Sequence, residues 1–210
     1  MWKKRLKYVA AVFMIVFLAY HSVYFRSLGD VKAAASEGKF DASAYAEVFW
    51  NEKVMTGLAD AVPYDELVAM LKADKERAFE AHSHALGIGN LRYFLIMGEG
   101  EITAVNENDE SLLIKPDRDQ TIKIATEFIY GNAVRDALGV LDMNDFKSTM
   151  DLNSVSEEIN SKIRTEILPS FKERAQKGKD VAFVGAIELN RQYLMLDDIE
   201  VIPLSLTIIE

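Results

Sequence analysis

The residues with the most chemical potential fall in two clusters. His82 and His84 form an H-x-H pair. In a strand, side chains at i and i+2 share a face, so two imidazoles could bind one metal ion, with Glu80 as a third ligand. Near a helix C-terminus the same histidines would serve the helix dipole instead. The second cluster is the run Gly131-Asn132-Ala133-Val134-Arg135-Asp136-Ala137, where polar side chains stand among small apolar ones. Gly131 and Asn132 suit a strand-to-helix turn, and Arg135 offers a planar fork for a carboxylate or phosphate. Two readings are open. Asn132, Arg135 and Asp136 contact an anion or a polyol, or Arg135 pairs with an internal carboxylate while Asn132 caps a helix, organising one end of the fold.

Other catalytic patterns are missing. No G-x-S-x-G, H-E-x-x-H, G-x-G-x-x-G or G-K-[ST] occurs. Gly87, Gly89, Gly98 and Gly100 spell no phosphate loop. With three His and no Cys, the chain has little material for a nucleophilic triad, and no disulfide, thiolate metal site or lipidated Cys can form. These residues point to a protein that is not an enzyme and needs no cofactor.

Charge narrows the partners. The 210 residues hold 24 Lys and Arg against 33 Asp and Glu, a net charge of −9. Setting aside Lys3, Lys4, Arg5 and Lys7 leaves 20 basic against 33 acidic residues, a net charge of −13. Such a domain repels phosphate backbones, so nucleic acid is not its partner.

The four cations precede an unbroken apolar run over residues 8–20, extended by Val23, Tyr24 and Phe25. The extended run is about long enough to cross a bilayer at ~1.5 Å per residue. The positive-inside rule places the N-terminus in the cytoplasm and the remainder outside. The residues after the run are poor for signal cleavage, so residues 1–26 are expected to be an uncleaved signal anchor in the cytoplasmic membrane. Residues 27–39 then form a polar tether, residues 40–84 a helical part and residues 85–210 a β-rich domain.

In the helical part, Asp41 is the expected N-cap, with Phe40 and Tyr45 in the positions of a hydrophobic staple. Tyr45, Val48 and Phe49 share a face. Pro63 opens a second helix running to about residue 80, with Leu67, Met70 and Leu71 as its apolar stripe. Strands are expected over residues 91–105, bent at Gly98 and Gly100, and over 111–115 and 121–128. A short helix is expected next, over 131–138. Ser154 and Glu157 match a capping box for a helix with Ile159, Ile163 and Ile167 in its stripe. Pro169 kinks or ends it, and Gly178 closes the region. Strands return over 181–189 and 199–208, the last bulged or at an edge because of Pro203. Three strands, a helix and two strands is the order of an OB-fold, a five-stranded, partly open barrel. The expected class is α+β.

Several stretches carry a family resemblance. They are Phe40-Asp41-Ala42, Tyr45-Ala46, Phe49-Trp50, the 131–137 run, Asp145-Phe146, Asn153, Val181-Ala182-Phe183-Val184-Gly185-Ala186 and Ile202-Pro203-Leu204. The chain resembles, over about residues 28–210, a bacterial family of predicted periplasmic lipoproteins of unknown function. Members are often encoded beside sugar-type ABC transporters with periplasmic binding proteins. The resemblance implies a role in solute uptake, with a transporter component or binding protein as partner. The sequence departs from the family in lacking the lipidated Cys, so the apolar segment would take over anchoring.

Overall fold

The structure, a computed structural model, describes residues 2, 14, 17, 40–106, 111–116 and 120–209. The expected anchor and tether lie outside the described residues, apart from Trp2, Met14 and Phe17. Among the described residues no helix is long and apolar enough to cross a membrane. Residues Met1–Phe40 and Asp41–Glu210 are two separate units. All the strands and helices named below belong to the second unit.

Five strands close into a barrel. They are β1 (Leu91–Asn106), β2 (Ser111–Lys115), β3 (Ile122–Ala125), β4 (Asp180–Asn190) and β5 (Glu200–Ile209). The first half of β1 pairs antiparallel with β4, from Leu91↔Asn190 to Glu101↔Asp180. Its second half pairs with β2, from Glu101↔Lys115 to Asn106↔Ser111. β2 continues to β3, β3 lies parallel to β5, and β5 returns antiparallel to β4. This is the OB-fold connectivity expected from the element order. β1 serves both halves, and the irregularity expected at Gly98 and Gly100 falls instead between Ile102 and Ala104, where its register with β2 shifts. A Cβ on Gly100 would lie 2.8 Å from the Lys115 carbonyl oxygen, so a larger residue would push the two strands apart there. Pro203 sits where the register between β4 and β5 shifts, between Val184 and Gly185, the bulge expected of a strand proline.

Alternation sends Phe94, Ile96, Ile114, Ile124, Phe183 and Val201 into the barrel interior. Helices close it. Helix α1 (Ala42–Phe49) starts where Asp41 accepts a 2.9 Å hydrogen bond from the Ala44 amide. It runs on through a π-turn over Trp50–Val54. Its buried stripe is Ala46, Phe49, Trp50 and Val54. Val48, expected on that face, is 55% exposed, because the stripe advances from Ala46 rather than Tyr45.

The second expected helix is two. Asp74 is extended at φ −151° and divides α2 (Tyr64–Ala73) from α3 (Lys75–His82), capping α3 by accepting from the Arg77 amide. Pro63 stands just before α2 as its N-cap, in a two-residue strand, Val62–Pro63, that runs parallel to β1. Leu67 and Leu71 are buried, and Tyr64, Phe79 and Phe171 join them over the barrel core.

Between β3 and β4 come α4 (Ala133–Ala137), α5 (Thr149–Lys162) and α6 (Leu168–Lys172). Helix α5 packs against α1, and α4 lies on β1 and β4. The capping box expected at Ser154 is one and a half turns too late. The N-cap is Ser148, which accepts from the Asp151 amide at 3.2 Å, while Ser154 donates to the Met150 carbonyl inside the helix. Ser148 and Asp151 match the same four-residue pattern. Burial of Leu152 and Val155 makes the earlier start the better one. Ile159 and Ile163 are buried and Ile167 half-buried, as their spacing requires. Pro169 lies in the first turn of α6, directly after a π-turn over Ile163–Ile167.

Candidate functional site

The chain leaves β3 at Ala125 and reaches α4 through residues 126–132. Residues 126–128, expected to continue the strand, leave the ladder. Ile129 is fully buried while Phe128 and Tyr130 on either side are 56% and 64% exposed. Phe128 and Tyr130 stack on each other, with ring centroids 6.3 Å apart and planes 28° from parallel.

This loop is pinned. The Ile129 amide donates to the Glu127 carbonyl at 2.9 Å, a three-residue turn. The Ile129 carbonyl accepts from Arg164 Nη1 at 2.5 Å. The Gly131 carbonyl accepts from Asn160 Nδ2 at 2.9 Å. Asn160 and Arg164 come from one continuous helical stretch, which therefore holds the loop at two nearby carbonyls. Arg164 also covers the Tyr130 ring at 6.0 Å and pairs with Glu157 at 2.7 Å.

The 131–137 run then turns inward. Arg135 and Asp136 are buried, at 4% and 3% exposure. Arg135 Nε donates to Asp136 Oδ1 at 2.6 Å, and Nη1 donates to Ser156 Oγ at 2.9 Å and the Leu152 carbonyl at 3.3 Å. Asn132 Nδ2 donates to Asp136 Oδ2 at 3.0 Å. The Tyr93 hydroxyl reaches Asn132 Oδ1 at 3.5 Å. Burial, and next the Glu188 carboxylate, push the Tyr93 phenol up to about 12, so it stays a neutral donor.

The structure therefore brings Asn132, Arg135 and Asp136 together as expected. Both carboxylate oxygens of Asp136 are used, and an incoming anion would have to displace Asp136 from Arg135. The geometry matches the organising reading: the network ties α4 to β1 through Tyr93 and to α5 through Ser156. Asn132 caps in an unexpected way, since its side chain bonds Asp136 and not a helix N–H.

His82 and His84 do not share a strand face. His82 ends α3, and His84 lies in a two-residue strand paired with β1. Burial, and then the Arg92 charge, hold the His84 imidazole below its usual range. Glu80 faces Arg191 at 3.7 Å. Among the described residues no group of three or more His, Asp and Glu could hold a metal ion.

A family described as predicted periplasmic lipoprotein (DUF2291) matches residues 13–207. The chain belongs to this family. The match begins inside the apolar N-terminal run, earlier than the residue 28 expected from the resemblance. No residue of this DUF2291 chain is a Cys, so none can carry the thioether-linked lipid that the family description implies. A crystal structure at 1.90 Å resolution of an OB-fold protein from Thermotoga maritima is similar over 81% of this chain and 99% of its own. The identity is 26% and the TM-score 0.72. No curated protein matches the chain.

Sequence reasoning locates the buried network and misses the loop that the network supports. The signal is present in Phe128-Ile129-Tyr130, two aromatics flanking a buried aliphatic residue just before a turn glycine. Apolar character alone assigns Phe128 to the end of a strand and gives Ile129 and Tyr130 no role.

Proposed function

We propose that this DUF2291 protein is a non-enzymatic accessory protein held at the outer side of the cytoplasmic membrane. Its barrel docks a partner protein through Phe128, Tyr130 and Arg164. The observation that supports this reading is the pinned loop. Two large aromatic side chains stay in water although folding would favour burying each of them by about 1.5–3 kcal/mol. Hydrogen bonds from Asn160 and Arg164 keep them there. Aromatic residues and Arg dominate the centres of protein interfaces, and a rigid loop loses little entropy on binding. The net charge of −13 outside the first seven residues argues against anionic lipid or nucleic acid as the occupant.

In this reading the apolar segment over residues 8–25 is the anchor and the following residues are the tether. The family resemblance implies an ABC-type solute uptake system as the source of the partner, either a transporter component or its binding protein. Purification of the full-length chain from native membranes should recover such a component by mass spectrometry, and Phe128→Ala/Tyr130→Ala should lose it. A chain recovered alone, or equal recovery with the variant, refutes the proposal.

The alternative, a sugar or anion bound by Asn132, Arg135 and Asp136, has weaker support, because those side chains already satisfy one another.

A further inference from the structure

Three buried polar side chains, Arg135, Ser156 and Asn160, meet where α4 packs on α5. Ser156 and Asn160 lie four residues apart in α5, so they stand in line along one face of the helix. Arg164 continues the four-residue spacing into the π-turn that follows. Each of the three takes hold of the facing segment. Arg164 donates to the Ile129 carbonyl, Asn160 to the Gly131 carbonyl, and Ser156 accepts from Arg135.

The hydrogen bonding along this row is complete except at two atoms of opposite polarity. A guanidinium carries five N–H groups. In Arg135 the Nε–H goes to Asp136, and Nη1 goes to Ser156 Oγ and the Leu152 carbonyl. Nη2, with two N–H groups, has no acceptor among the described residues. Asn160 has the converse deficit. Its Nδ2 donates to the Gly131 carbonyl at 2.9 Å. A carbonyl only accepts, so this bond fixes which way the amide faces. Asn160 Oδ1 then accepts from no group among the described residues. Arg135 and Asn160 are only 4% and 3% exposed, so bulk solvent does not serve either atom. Buried polar groups in folded proteins are nearly always hydrogen-bonded, to protein or to an ordered water.

We infer that one buried water molecule bridges Arg135 Nη2 and Asn160 Oδ1. It accepts from the guanidinium and donates to the amide oxygen. An anion does only the first and an ammonium only the second. The spacing suits a single water. Arg135 Nη1 is held 2.9 Å from Ser156 Oγ, and Asn160 stands one turn further along, about 5–6 Å away at Cβ. A water with a bond of about 2.7–3.2 Å to each side spans such a gap. Buried waters of this kind serve otherwise unsatisfied polar groups and are costly to remove. This one joins the Arg135–Asp136 network to the side chain that pins Gly131, so the base of the aromatic loop and the buried network form one hydrogen-bonded unit.

A high-resolution crystal structure of the full-length chain tests the inference and needs no variant. A water within about 2.7–3.2 Å of both Arg135 Nη2 and Asn160 Oδ1 is expected. A direct protein partner for either atom, or no electron density between them, overturns the inference. In solution, oxygen-17 relaxation dispersion counts the waters that a protein holds for long times. Asn160→Leu removes the amide oxygen and should hold one long-lived water fewer than the wild-type chain. An equal count in the two chains overturns the inference.

Discussion

Arg135 and Asp136 are consecutive in sequence and pair at 2.6 Å with almost no exposure to solvent. Neighbours at i and i+1 on a helix do not normally face each other. They meet here through the Arg135 guanidinium, which bridges Asp136 and the α5 groups Ser156 Oγ and the Leu152 carbonyl. The pair is the hub from which α4, β1 and α5 are held, and so the base on which the aromatic loop stands.

Arg135→Ala leaves the Asp136 carboxylate buried beside Asn132 alone. Breaking a buried pair from one side costs about 3–5 kcal/mol, and urea unfolding should show a loss of that size. Arg135→Met/Asp136→Leu removes both charges and should recover much of it. Equal loss in the single and double variants would mean that the residues act through packing alone.

Arg164→Ala removes a charged hydrogen bond to the Ile129 carbonyl, which costs about 1–3 kcal/mol. The larger effect should be local. Amide hydrogen exchange at residues 129–131 should accelerate while exchange in β1 and β4 stays slow. Unchanged exchange at those amides would show that the loop is held without Arg164.

His84 gives the domain a pH dependence with a definite sign. Burial and Arg92 lower its pKa from 6.5 in the folded state. The unfolded chain therefore takes up the proton first as pH falls. The stability associated with the neutral ring is present above about pH 6.5 and declines as pH drops through that value toward the folded pKa. His84→Gln should flatten this part of the stability profile, measured as thermal midpoint against pH from 7.5 to about 5. An identical profile in the variant contradicts the assignment.

Much of the barrel is legible in the sequence because alternation, turn residues and strand glycines act locally. The second strand is readable to the residue, 111–115, since stretches of polar sequence bound its apolar core. The irregularity at Pro203 comes from backbone chemistry alone, whereas the register shift of the first strand falls between Ile102 and Ala104, past the glycines expected to hold it. The illegible features depend on partners distant in sequence. Ser148 and Ser154 both match a capping pattern, and only the packing of Leu152 and Val155 decides between them. Asp74 breaks a helix whose apolar spacing gives no warning. Arg135 has two plausible fates in the sequence, and its burial against Ser156, 21 residues away, decides its geometry. The exposure of Phe128 and Tyr130 is the least legible feature, because two aromatics beside a strand end would ordinarily be assigned to the core.

The central claim is that Phe128 and Tyr130 are kept on the surface for a partner. Phe128→Ala/Tyr130→Ala should change unfolding stability by no more than about 1–2 kcal/mol, since both rings are more than half exposed and lose chiefly their mutual stacking and the Arg164 contact on Tyr130. Loss of two interface aromatics should weaken partner binding by about 2 kcal/mol or more, roughly 30-fold. The most direct measurement is quantitative co-purification of the full-length chain and this variant from native membranes, at matched expression. The account predicts a transporter component or binding protein retained by the wild-type chain and reduced at least about tenfold with the variant. Equal retention by the two chains, or a wild-type chain that retains neither, would contradict it.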